Sequence, residues 1–490
     1  MSSSAPGGLE GPFKFPNSPE PQSSSSSFVV PYIEEERPES PAKHGLDEKD
    51  FEKLVLGSDF VDESNVDEDC NVAQELKKYK YNIFVLSSAG KPVYSRHGNE
   101  DKLSTLFGVM QVLVSFIQDS NDVLKSIRCN GCTFTFLSKG PLILVSVAKT
   151  QQSDTQLLSQ LTYVYNQVIS VVTLSRLTKI FEQKCNYDLR RLLSGSERLI
   201  DQLLVFMETD YAFLLGAVRV LPLAPTARDE ISNIIVSACS KIKNLVFALL
   251  IANNQLITLV RMKKYELQPS DLHLLFNLVN SSESFKTAES WTPICLPLFN
   301  PSGFLHCHVS YLSEDCQACL MLLTVDHDLF YTLSTAKQKI VETLRRKGSL
   351  KDINDALALK PISASELGIY GLRHFMCKSR KHPQFWSSRV DTPYDTPEEV
   401  EHLMSLYQNL HQHVHHPTRP LKLCYQQMDS EIMLGHITAE YEFYFTFEPL
   451  VTKSDAISAA GRLPSVWLKD DEEKKKLFSL IQHSSDSCIS

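Results

Sequence analysis

Few side chains in this 490-residue chain have a spacing that chemistry could use. Two C-x-x-C pairs, Cys129/Cys132 and Cys316/Cys319, each offer half of a zinc site. A whole site would need both pairs brought together. The first straddles a turn expected at Asn130-Gly131 and the second leads into an apolar strand, so both are read as structural thiols. His411, His413, His415 and His416 crowd the end of an expected helix before Pro417, where cations suit the negative end of the helix dipole better than they would enclose a metal. Phosphate-cradling G-x-x-x-x-G-K-[ST] is absent, because Gly90-Lys91-Pro92 lacks the upstream glycine and the hydroxyl residue. G-x-S-x-G, H-E-x-x-H and G-x-G-x-x-G are absent too. The expectation is a protein without catalytic chemistry of its own, holding no metal and no cofactor.

Binding chemistry is better represented. Arg373, His374, Lys378, Arg380, Lys381 and His382 crowd an expected hairpin, and Arg345-Arg346-Lys347 closes an expected helix. The triplet suits the helix dipole. For the hairpin, Arg373, Lys378, Arg380 and Lys381 are candidates to meet anionic lipid headgroups at about 1 kcal/mol per base; a charged face without a ligand is the alternative. Residues 31–70 hold fourteen acidic against four basic side chains, which exceeds the whole net charge of −9. The remaining body is therefore near neutral, and no nucleic-acid partner is expected. The twelve Cys fall mostly in apolar runs, as Cys295 and Cys307 do, which favours reduced thiols in the cytosol. No secretory signal, prenylation box or myristoylation site is read, and the apolar run Leu245 to Val260 is broken by Asn253-Asn254-Gln255. Any membrane contact is expected to be peripheral.

The elements that position these residues repeat. Ile83 to Leu86, a turn at Ser87 to Pro92 and Val93 to Ser95 read as a hairpin, followed by a helix opening near Asn99. Leu103, Leu106, Phe107, Met110, Leu113, Val114 and Ile117 share one face of it at ~100° per residue. Val109, Val112 and Phe116 form a second apolar line on the adjoining flank, more than a helix covering one sheet needs. That flank is expected to be covered by another part of the chain or by a partner. Strands at Ser126 to Arg128, Cys132 to Leu137 and Leu142 to Val147 follow, then a helix capped at Ser153 or Asp154 and a helical stretch from about Ser175 to Phe206. The same order returns from Leu245 to Lys347 and from Gly368 to the end, where helices are expected at Ala456 to Ala460 and Asp471 to Ile481. The reading is α/β (α+β), with three copies of one α/β/α unit at 76–207, 208–360 and 361–490 behind a disordered Ser/Pro-rich acidic tail, 1–75.

Three strings identify a family. Tyr81-Asn82-Ile83-Phe84-Val85-Leu86-Ser87-Ser88-Ala89-Gly90-Lys91-Pro92, then Lys139-Gly140-Pro141-Leu142, then Phe181-Glu182 with Asn186-Tyr187-Asp188-Leu189-Arg190-Arg191-Leu192-Leu193 closely resemble the SAND family, the Mon-one vacuolar fusion proteins. The resemblance implies three tandem longin modules, each an antiparallel five-stranded sheet with helices on both faces. It also implies a heterodimer with a Ccz-one-type longin subunit, acting as guanine-nucleotide exchange factor for the late-endosomal Rab-seven GTPase. Recruitment by an early-endosomal Rab and by phosphatidylinositol 3-phosphate would place a cytoplasmic protein on endosome, lysosome or vacuole membranes. On that reading the candidate contact residues for the partner subunit or the GTPase are Val109, Val112, Phe116, Leu106 and Met110. A trafficking adaptor without exchange activity is the alternative.

Overall fold

The computed structural model describes residues 79–467, apart from 99–102, 130, 151, 282 and 315, together with 482–484. The tail expected at 1–75 and the helix expected at 471–481 lie outside the described residues, as does the position of Asn99. In the first module the strands are β1 (Tyr81–Ser87), β2 (Pro92–Ser95), β3 (Ser126–Cys129), β4 (Cys132–Lys139) and β5 (Leu142–Ala148). They pair antiparallel in the order β2-β1-β5-β4-β3. Because side chains alternate across a strand, Ile83 and Val85 point to one face while Phe84 and Leu86 point to the other. Both sets are fully buried, so each face needs a cover. Helix α1 (Ser104–Asp119) covers the Phe84 face and α2 (Asp154–Val172) covers the Ile83 face. Helix α2 starts in a capping box, with Ser153 accepting from Gln156 N and Gln156 accepting from Ser153 N.

The helical stretch expected from Ser175 to Phe206 is broken. It consists of α3 (Leu174–Gln183), α4 (Arg190–Leu193) and α5 (Glu197–Thr209), followed by α6 (Tyr211–Leu215). Thr173 at φ 66° separates α2 from α3, and Gly195 at φ 83° precedes α5; both conformations end a right-handed helix.

The second module holds β6 (Val218–Val220), α7 (Pro225–Cys239), β7 (Leu245–Ala252), β8 (Gln255–Met262), α8 (Pro269–Asn280), α9 (Ser284–Thr287), β9 (Ser290–Leu296), β10 (Asn300–Ser313), β11 (Cys316–Thr324), α10 (Phe330–Lys347) and α11 (Ser349–Ala358). In the third are β12 (Leu372–Ser379), β13 (Gln384–Ser387), α12 (Pro397–Val414), β14 (Leu423–Gln427), β15 (Ile432–Ile437), β16 (Tyr441–Phe447) and α13 (Lys453–Trp467). Orders β8-β7-β11-β10-β9 and β13-β12-β16-β15-β14 repeat that of the first module strand for strand. Each of these sheets also has a core on either face: α7, α10 and α11 oppose α8, and α13 opposes α12. One unit has folded three times.

Two elements, β6 and α7, have no counterpart in the sequence reading; the first joins the copies and the second covers the second sheet. β6 pairs parallel with β13 on one side and β8 on the other, so the second and third sheets are continuous through it. α7 opens on Pro225 and buries Ile231, Ile234 and Ile235, a periodicity that the sequence does carry. The segment β17 (Gln482–Ser484) also pairs with β8.

Candidate partner interface

Helix α1 has no side-chain cap, no acid in its first turn and no base in its last, so packing must hold it in place. Phe107, Met110 and Val114 supply that packing. They meet Phe84, Leu86, Phe136 and Val145 on the sheet, with the Phe84 and Phe107 rings edge to face at 5.4 Å. Leu106, Val109, Leu113 and Ile117 are half-buried. Val112 and Phe116 are 61% and 62% exposed. The flank read from the sequence is therefore present, and among the described residues it is uncovered. Met110 is a correction: at 2% exposure it lies beneath the helix, where its spacing with Phe107 and Val114 aims it at the sheet, and it supports the surface without offering contact.

The corresponding helix of the other two copies, between the second and third strands, is covered outside. In α8 every residue from Asp271 to Asn277 is buried. Its inner side packs on the sheet, and its outer side meets the first module through polar contacts. His273 Nε2–H donates to Ala217 O at 3.0 Å and its Nδ1 accepts from Tyr163 Oη at 3.0 Å. Asn277 Nδ2 donates to Gln167 Oε1 at 2.9 Å and to Leu199 O at 2.7 Å. Burial pushes the His273 pKa down to about 4, so the ring is neutral in this role. In α12, Leu403, Met404 and Leu406 share a core with Tyr211, Ala212 and Leu215 of α6, while Gln156 of α2 donates to Gln408 O at 2.8 Å. Of the three equivalent helices, α1 alone has an apolar outer flank without cover among the described residues.

The hairpin of β12 and β13 is basic but not bare. Arg373 Nη1 lies 3.5 Å from Glu431 Oε1 and donates to Ser430 O at 3.1 Å. Lys378 Nζ and Arg380 Nε lie 3.6 and 3.9 Å from Glu442, and Arg380 also donates to Thr438 O. Lys381 is exposed. The sequence pattern missed this compensation because Glu431 enters from the turn just before β15 and Glu442 from β16, both far along the chain. Burial would raise the Glu442 pKa, but His415, Lys378 and Tyr444 favour the charged form and hold it at about 2. His415 Nε2 stands 3.3 Å from Glu442 Oε2 and 2.9 Å from Tyr444 Oη, which ties the end of α12 to the same carboxylate.

Cys129 and Cys132 face each other as the last register pair before the β3–β4 turn, and Cys319 is buried on β11. Burial, together with nearby Asp271 for Cys295, pushes the thiol pKa of Cys239, Cys295 and Cys319 up to about 12, which leaves them inert. Among the described residues no helix is long and apolar enough to cross a membrane.

Comparison with known proteins places these modules. Residues 81–203 match the profile described as first Longin domain of FUZ, MON1 and HPS1, residues 243–342 the second and residues 371–472 the third. The chain is 44% identical to Vacuolar fusion protein MON1 homolog A of Bos taurus over 82% of its own length and 72% of that relative. To Protein SAND of Takifugu rubripes it is 43% identical, over 87% and 81% of the two chains. To Vacuolar fusion protein MON1 homolog B of Homo sapiens it is 36% identical, over 82% and 76%.

Proposed function

The chain belongs to the MON1 (SAND) family of triple-longin proteins, and from that premise we propose that it is one subunit of a heterodimeric exchange factor for a Rab-seven-type GTPase. The relatives named as vacuolar fusion proteins support a role in membrane traffic at the vacuole or lysosome. The single observation that carries the docking half of the proposal is the bare flank of α1. Within this chain, helices α8 and α12 are covered outside by helical elements linked to a neighbouring module. By the same geometry, the helical face of another longin chain, of the Ccz-one type, is the fitting cover for Val112 and Phe116. Sealing a Val and a Phe away from water contributes about 1.5–3 kcal/mol each.

An exchange factor of this kind needs no nucleophile or general base. It binds the nucleotide-free GTPase more tightly than the loaded one, and that differential affinity shifts the population. Peripheral recruitment by an early-endosomal Rab and by phosphatidylinositol 3-phosphate, with Arg373, Lys378, Arg380 and Lys381 as candidate lipid contacts, belongs to the same reading. The direct test is release of a fluorescent guanine nucleotide from the Rab-seven-type GTPase, with and without the purified pair. Accelerated release supports exchange. Unchanged release, with the pair still binding its membranes, would favour the trafficking-adaptor reading instead.

A further inference from the structure

The repeated strand order puts β3, β9 and β14 at the corresponding outer edge of the three copies. A free edge is a template for another strand, and folded proteins usually guard it. Two of these edges are guarded. β3 carries Ser126 and Arg128, both held at 2.9 Å by Asp154 at the start of α2. β9 packs on the first module, with Cys295 in the core that α2 helps to build. β14 has neither device. Leu421 and Leu423, just before it and at its start, are 37% and 42% exposed. The ladder fixes which backbone groups are free. Ile437 N donates to Lys422 O at 2.7 Å and Met428 N to Glu431 O at 2.9 Å, so the even-numbered residues from Lys422 to Met428 bond inward to β15. Bonding alternates along an antiparallel strand, so the N–H and C=O groups of Leu423, Tyr425 and Gln427 point away from the sheet. Among the described residues these six groups find no partner.

Charge changes sign along this edge. Arg419 and Lys422 are exposed at its start, and Asp429 is exposed at its end. Glu431, close to Asp429, is already engaged by Arg373 at 3.5 Å. On the α13 side Lys453 Nζ stands 5.8 Å over the Tyr425 ring, while Asp455 accepts from Thr452 Oγ1 at 2.7 Å. An edge that is basic at one end and acidic at the other is complementary to itself when turned around. Two such strands laid antiparallel bring the basic start of each to the acidic end of the other, twice over by two-fold symmetry. Laid parallel, they would set like charges together.

We propose that β14 is a self-pairing edge, to which a second copy of this chain adds its own β14 antiparallel about Tyr425, with Lys422 beside Asp429 of the second copy. Leu423 then lies opposite Gln427 of the other strand, and the outward backbone groups of all three residues are satisfied. The surface belongs to the third module and owes nothing to the reading of α1. Five residues a side make a small interface, so the association is of the weak, concentration-dependent class.

The test is sedimentation of the purified full chain over a range of concentrations, with amide hydrogen exchange measured alongside. The mass is expected to double as concentration rises, and the amides of Leu423, Tyr425 and Gln427 to gain protection in step. Lys422→Asp should weaken the association about 10-fold at low salt, and adding Asp429→Lys should restore it. Leu423→Lys, at an exposed position, should abolish doubling while the circular dichroism spectrum stays that of the parent. A single-copy mass at every concentration would overturn the inference. Protection that does not depend on concentration would also overturn it, since the edge would then be covered within one chain. So would a charge reversal that fails to restore pairing, or doubling that survives Leu423→Lys and is lost in Val112→Glu with Phe116→Glu, which would assign self-association to α1.

Discussion

At the scale of single residues, buried titratable groups dominate. His273 is neutral, clasped between Tyr163 and Ala217 at the contact of the first and second modules. Its folded pKa of about 4 lies below the 6.5 of an exposed histidine. Above pH 6.5 neither state binds the proton; between 6.5 and about 4 only the unfolded chain does, so stability is lost as the pH falls through that window. A shift of this size corresponds to about 3 kcal/mol. Burial shifts His374 and His411 in the same direction, each to about 3. The melting temperature is expected to fall steeply from pH 6.5 to 4, and less steeply in His273→Gln; parallel curves would remove His273 from the account. Glu442 acts differently, since it neutralises Lys378 and Arg380 from beneath. Glu442→Gln should destabilise the fold by about 3 kcal/mol and raise binding to anionic vesicles. Conversely, Glu at Arg373, Lys378, Arg380 and Lys381 together should lower vesicle binding, most at low salt; equal binding at every salt concentration would exclude a lipid role for the hairpin.

At the scale of elements, the comparison is between α1, α8 and α12. Val112→Glu with Phe116→Glu changes only exposed positions, so each change should alter the unfolding free energy by no more than about 0.5 kcal/mol. Asn277→Ala on α8 strips the partners from Gln167 and Leu199 O and should cost about 1–3 kcal/mol. Thermal melts of the two variants side by side check the contrast. Element order was largely legible in the sequence because hairpins and amphipathic helices declare themselves locally. Asn253 and Asn254 both take positive φ in the β7–β8 turn, as an Asn-Asn pair between apolar runs predicts. Thr396 and Glu399 form the capping box that opens α12. Long-range facts were not legible. Val218-Arg219-Val220 of β6 alternates as a strand does but is too short to read as one, and it becomes a strand because β8 and β13 offer edges on either side. The polar seam from Tyr163 to Asn277 joins residues more than a hundred positions apart. The same limit applies to the candidate site: α1's spare flank could be read from spacing alone, while the carboxylates beneath the basic hairpin could not.

At the scale of the molecule, modules two and three share one sheet through β6, and the first module clasps both, through α2 and α5 with α8 and through α2 with α12. Among the described residues this arrangement leaves the outer flank of α1 uncovered, while the equivalent helices α8 and α12 hold the modules together. Residues 31–70 are strongly acidic, and restraint of the pair by this tail is a separate proposal. Deleting residues 1–75 tests it: a faster nucleotide release by the pair is expected if the tail restrains it, and no change would count against restraint. The most direct measurement of all is to place a photo-activated cross-linking residue at Val112 in the full chain and irradiate it with the partner subunit present. The account predicts a single dominant product joining this chain to the second longin subunit. A product confined within the chain, or none at all while the pair remains associated, would contradict it.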